Sequence, residues 1–213
     1  MSTRESSLYE RWLKFVFDRP VTKPQWFFQA DDDPFDATTD QLVSLIGETL
    51  RRSGTDLLPF SDAQVDNGLN YIFFNAGSDV IYSICQKGVA LEKRIDAVLS
   101  MKILYRDCYA KRCAPVLSHL DEPGSNALNH TCYMLWDASP LRSWKSVVLD
   151  VMQAALYLPN DACIESALHG LGHRAYKDRP AVSEIIDTFI RKTPGLRPEL
   201  RAYALCAREG NLQ

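Results

Sequence analysis

Apolar residues recur at steps of three and four along much of this chain of 213 residues, the spacing of amphipathic helices. The pattern is clearest toward the C-terminus. Trp144, Val147, Val148, Val151, Ala155 and Leu158 form one stripe, stopped by Pro159 and Asn160. Asp161 is the expected N-cap of the next helix, with Ile164, Ala167, Leu168, Leu171 and Ala175 as its stripe. A turn over 177–180 follows, with Pro180 suited to a first helical position. Val182, Ile185, Ile186, Phe189 and Ile190 give a third stripe. After a break at 193–198, Leu200, Tyr203, Ala204 and Ala207 give a fourth, closed by Gly210 as a C-cap. Connections this short favour antiparallel packing of consecutive helices.

Residues 1–136 read as helical with less regularity. Leu8, Trp12, Phe15 and Val16 share one face of a first helix. A long connection holds Pro20, Pro24 and the aromatic run Trp26 to Phe28, which must bury and so predicts a packed loop. A helix is expected over 39–52, capped by Asp36, Thr38 or Thr39. Ser61 with Gln64 reads as a capping box opening a helix through Val65, Leu69, Ile72 and Phe73. A turn at 75–79 leads to a helix with Val80, Ile81, Ile84 and Cys85. One long helix is expected from Glu92 to about Cys113, then a polar turn at 121–125 and a short helix over 126–136. No stretch alternates with period two between turn signals, so the fold class is all-α.

A helix pair repeated over about forty residues is the mark of a helical-repeat stack. The stretch Cys163-Ile-Glu-Ser-Ala-Leu-His-Gly-Leu-Gly-His173, after a helix and a Pro-Asn-Asp turn, resembles the second helix of a HEAT-like repeat. The resemblance covers roughly residues 139–210. It implies a short α-solenoid in which small Ala and Gly positions let paired helices approach. It also implies that the second helices line a concave surface. The expected organisation is a single helical domain over 1–213, with an irregular helical part over 1–136 and HEAT-like pairs over 139–213.

Charge narrows the function classes. The net charge is −3 and the pI about 5.8, which argues against a phosphate-binding surface. Arg4, Glu5, Glu10 and Arg11 interrupt any signal-peptide pattern, and no uncharged apolar run reaches membrane-spanning length, so a cytoplasmic protein with no membrane or nucleic-acid partner is expected. The six cysteines form no C-x-x-C pair and read as small buried hydrophobes.

Candidate chemistry sits mainly on the helix from Asp161. Glu165, His169 and His173 stand four apart and share one helix face, away from Ile164 and Leu168. Read plainly, this is a polar face available to a partner. Read as chemistry, two His at this spacing can chelate a metal, with Glu165 as a further ligand. Cys108, Cys113, His119, His130 and Cys132 are of zinc-binding type without a zinc-binding spacing. Asp31, Asp32 and Asp33 head an acidic stretch that lacks the glycine and closing Glu of a calcium loop, and read as a patch for a basic partner. No nucleophile elbow, P-loop or glycine-rich cofactor fingerprint is present. The expected function is therefore non-enzymatic protein binding without a cofactor, of an adaptor or bacterial inhibitor/immunity type. Glu165, His169, His173 and Asp31 to Asp33 are the expected contacts. The alternative is a metal-dependent helical hydrolase using His169, His173 and a carboxylate.

Overall fold

The computed structural model describes residues 6–29 and 34–212, and among them there are helices and connections but no β-strand. The α-helices in chain order are α1 (Leu8–Phe17), α2 (Thr39–Arg51), α3 (Ser53–Asp56), α4 (Asp62–Phe73), α5 (Leu91–Leu99), α6 (Met101–Leu104), α7 (Ala110–Arg112), α8 (Ala127–Ala138), α9 (Lys145–Ala155), α10 (Asp161–Lys192) and α11 (Pro198–Glu209). Short 3-10 segments occur at Trp26–Phe28, Val80–Cys85, Ser118–Leu120 and Pro140–Ser143.

Local chemistry sets the helix starts. Ser7, Thr38 and Ser61 open α1, α2 and α4 with reciprocal capping boxes to Glu10, Gln41 and Gln64. At α10 the cap is Asn160 and not Asp161. The Asn160 amide oxygen accepts from Ala162 N at 3.0 Å, while its nitrogen donates to Ala110 O at 3.2 Å and Cys113 O at 3.0 Å. A carboxylate accepts only, so an aspartate could not make the second pair of bonds.

Two expected helices take other forms. The 80–85 segment is a 3-10 helix that buries Ile81 and Ile84, three apart and therefore eclipsed on that geometry. The long helix expected over 92–113 is broken. The Ser100 hydroxyl donates back to Asp96 O at 2.7 Å, a bond that bends helices. Beyond it a π-turn at Tyr105–Tyr109 inserts one extra residue and keeps Tyr105, Cys108 and Tyr109 all buried.

The stripes on either side of 177–180 form the two helical halves of α10, which meet at Asp178, where the backbone leaves helical geometry with φ −147° and ψ 49°. Pro180 explains the kink, because it lacks an N–H and its ring clashes with the preceding turn. The kink folds the helix back on itself. Phe189, near the end of α10, packs its ring 5.7 Å from Tyr157, which lies just before the start of α10. From there α11 runs alongside the first half of α10: Arg197 reaches Asp161 at 3.5 Å, and Glu209 meets Arg179 at 2.5 Å. The buried apolar side chains form one connected core from Trp12 to Ala207, with α10 packed against α8, α9 and α11.

A buried polar chain ties the two parts of the molecule together. Trp136 Nε1–H donates to Tyr105 Oη at 2.8 Å, Tyr105 pairs with Ser166 Oγ at 2.7 Å, and Ser166 donates to Cys132 O. Because each of these polar groups has a partner, they are held inside without an orphaned donor. The result is a rigid seat for the first half of α10.

Candidate functional site on the first half of α10

The three residues picked out by their four-residue spacing lie on one side of α10 but at different depths. Glu165 is 0% exposed, His169 is 6% exposed, and the His173 side chain is 42% exposed. The expectation of a shared surface ridge therefore needs correcting, since α8, α11 and the 118–120 turn cover its first two members.

Glu165 is committed to internal bonds. Its carboxylate accepts from Ser118 N and His119 N, both at 2.9 Å, and lies 2.5 Å from His119 Nδ1. It anchors the 118–120 turn, and a buried carboxylate with three such bonds is structural. The His119 ring is stacked on Tyr203 with centroids 4.1 Å apart.

His169 is gripped from both sides. Its Nδ1 lies 2.8 Å from Tyr203 Oη, and its ring packs 4.3 Å from that of Tyr133. Tyr133 and Tyr203 share a hydrogen bond of 3.2 Å between their hydroxyls. Burial, reinforced by the neighbouring His173, pushes His169 down to a pKa of about 4. The imidazole is thus neutral at physiological pH. Burial also raises both tyrosines, so the hydroxyls stay protonated.

Toward the surface, His169 Nε2 lies 3.1 Å from His173 Nε2. Asp137, near the end of α8, brings Oδ1 to 3.8 Å from His173 Nε2. One ligand atom from each of Asp137, His169 and His173 lies within 4.8 Å of the other two. Sequence spacing selected both histidines and missed Asp137, which the packing of α8 on α10 supplies. The one local signal was that Tyr133 and Asp137 stand four apart, on a single face of α8.

Around the His173 ring lies a cavity of 240 Å³, lined by Trp136, Leu141, Val148 and Met152, with Tyr176 and Lys177 at its edge. Tyr176 is 92% exposed. Gly170 forms part of the wall, where a Cβ would come within 2.6 Å of the Trp136 ring and 2.7 Å of Met152 Cε.

The other candidates do not converge. Asp31, Asp32 and Asp33 lie outside the described residues. Of the five zinc-type residues, Cys108, Cys113 and Cys132 are buried, with Cys132 Sγ donating to Ala162 O at 3.8 Å, His119 is held by Glu165, and His130 is exposed. Burial pushes the Cys108 thiol up to about 12 and raises Cys132, while the neighbouring Cys132 together with burial raises Cys113, so these are neutral core thiols. Among the described residues, no helix is long and apolar enough to cross a membrane. Compared with known proteins, the chain matches no family model, no curated protein and no solved structure.

Proposed function

We propose that this chain is a non-enzymatic, HEAT-like helical-repeat protein that binds another protein through the surface around His173 and Tyr176. The observation that carries the reading is the cavity of 240 Å³ with a nearly fully exposed tyrosine on its edge. Apart from the buried Arg174, its inner lining is apolar and belongs to elements packed in one core. Its edge carries Tyr176, Lys177 and His173. Interface hot spots share this make-up, a desolvated pocket for an apolar anchor ringed by aromatic and polar groups. The fold-back of α10 and the parallel course of α11 support a stacked helical scaffold, on which such a surface stays fixed without a ligand.

Lys177 gives the edge a positive charge, which suits a partner segment whose apolar anchor is flanked by acids. A basic partner would use the acidic stretch at Asp31 to Asp33 instead. An adaptor or an inhibitor/immunity-type protein would need such a surface. The commitment of Glu165, His119 and Tyr203 to one another favours a holding role over a reactive one. The second reading is the metal-dependent hydrolase. It keeps His169 and His173, exchanges Glu165 for Asp137, and is favoured by the closeness of those three side chains.

The binding reading is tested with a photo-crosslinking amino acid at Tyr176, in cells of the source organism. Leu58, 69% exposed and on the connection between α3 and α4, serves as the control position. A discrete adduct from position 176 that position 58 does not give is the expected result. No adduct, or the same adducts from both positions, would overturn the reading.

A further inference from the structure

We propose that Asp137, His169 and His173 bind a divalent transition-metal ion of the zinc class, held at the surface with coordination positions open to solvent. This does not rest on the partner-binding reading.

Distances come first. Metal–nitrogen bonds of about 2.0–2.1 Å at tetrahedral or octahedral angles put two donor atoms about 2.9–3.4 Å apart. The two Nε2 atoms stand at 3.1 Å. The Asp137 oxygen stands 3.8 Å from His173 Nε2 and within 4.8 Å of the His169 ligand atom, so its side chain must draw closer to both nitrogens to complete the shell. All three ligand atoms lie within 4.8 Å of one another.

Protonation is the second line. A metal takes the unprotonated ring nitrogen, and a ligating histidine ordinarily donates its other N–H to a fixed acceptor. His169 is buried, with Nδ1 against the Tyr203 hydroxyl at 2.8 Å. A proton on Nδ1 donated to that oxygen leaves Nε2 bare and aimed at His173. His173 offers its own Nε2 from the other side, with its Nδ1 left for a proton.

Third is the sequence of supports behind the site. Tyr133 and Tyr203 hold the His169 ring from both sides, and Glu165 with His119 braces Tyr203 from behind. Two imidazoles and one carboxylate suit zinc, iron(II), cobalt(II) or nickel(II) better than magnesium or calcium, which favour all-oxygen shells. Three protein ligands leave at least one position for water or an outside donor.

The test is zinc titration by calorimetry on the full chain purified without chelators, with cobalt(II) absorption reporting coordination. The wild type is expected to take one equivalent with a micromolar or tighter Kd. The accessible variant His173→Ala should weaken binding at least 100-fold, and Asp137→Asn about tenfold. Tyr203→Phe removes only the hydroxyl behind His169 and should cost about 10–100-fold. His130→Ala, an exposed histidine off the site, should leave the affinity unchanged. Far-UV circular dichroism of each variant separates lost binding from lost fold. No zinc uptake at 100-micromolar zinc, or equal uptake by folded His173→Ala, would overturn the proposal.

Discussion

At the scale of single residues, the burial depth of a side chain decides its role more than its type does. Glu165, His169 and His173 look equivalent on a helical projection. The first is an internal brace, the second a buried and oriented imidazole, and the third a surface group. Removing the brace has a defined cost. Glu165→Gln keeps the volume but places an N–H where a backbone N–H or the His119 ring now donates. A loss of about 1–3 kcal/mol is expected, the cost of leaving a buried donor unpaired, read as a lower urea midpoint. An unchanged midpoint would show that the 118–120 turn does not depend on this carboxylate. The sequence showed which residues share a face. It could not show depth, because depth comes from α11 and the 118–120 turn, which are remote in the chain. Asp137 escaped for the same reason. Within α8 its four-residue step from Tyr133 shows only a shared face, not two histidines on another helix.

Helix starts were the most legible elements. The Ser61–Gln64 box appears as read, and of the three caps offered for α2, Asp36, Thr38 and Thr39, the structure uses Thr38. Asn160 displaced Asp161 because the cap also had to donate to two carbonyls around α7, a demand visible only once the chain had folded. The break in the 92–113 helix arises likewise from the need to bury Tyr105 against Trp136 and Ser166, with Tyr109 packed on Tyr105. The turn expected at 177–180 is present as a break at Asp178, where the two helical halves of α10 meet and the chain changes direction. Gly170 offers a sharp test of helix packing. In an exposed helix, Gly→Ala stabilises by up to about 1 kcal/mol. Here the new methyl would strike Trp136 and Met152 at 2.6 and 2.7 Å. Gly170→Ala is expected to lower stability by about 1–3 kcal/mol in chemical denaturation, the usual range for overpacking. A gain in stability would mean that α8, α9 and α10 are packed less closely there.

For the whole molecule, the all-helical class was readable from periodicity alone, because one core runs through stripes spaced at three and four. How the helices stack was not, since the order of neighbours is set by long-range packing. The single core makes the buried histidine a load on global stability. The folded pKa of His169, about 4, lies below the ordinary value of 6.5. Between those values the unfolded chain takes up a proton that the folded chain refuses, so stability falls as pH drops through this window. The full effect is up to about 3 kcal/mol and is absent above about pH 7. Urea midpoints measured from pH 7 to pH 4 should fall more steeply for the wild type than for His169→Gln. Parallel curves would assign the acid loss to other groups.

The metal site proposed on α10 requires that His169 be held dry and fixed between Tyr133, Tyr203 and His173. The direct measurement is an NMR titration of its imidazole resonances in the intact protein, free of added metal, from pH 8 to pH 4. The ring should stay neutral until the pH approaches about 4, with no inflection near 6 to 7. An ordinary titration centred near 6.5 would place His169 in water and contradict the arrangement.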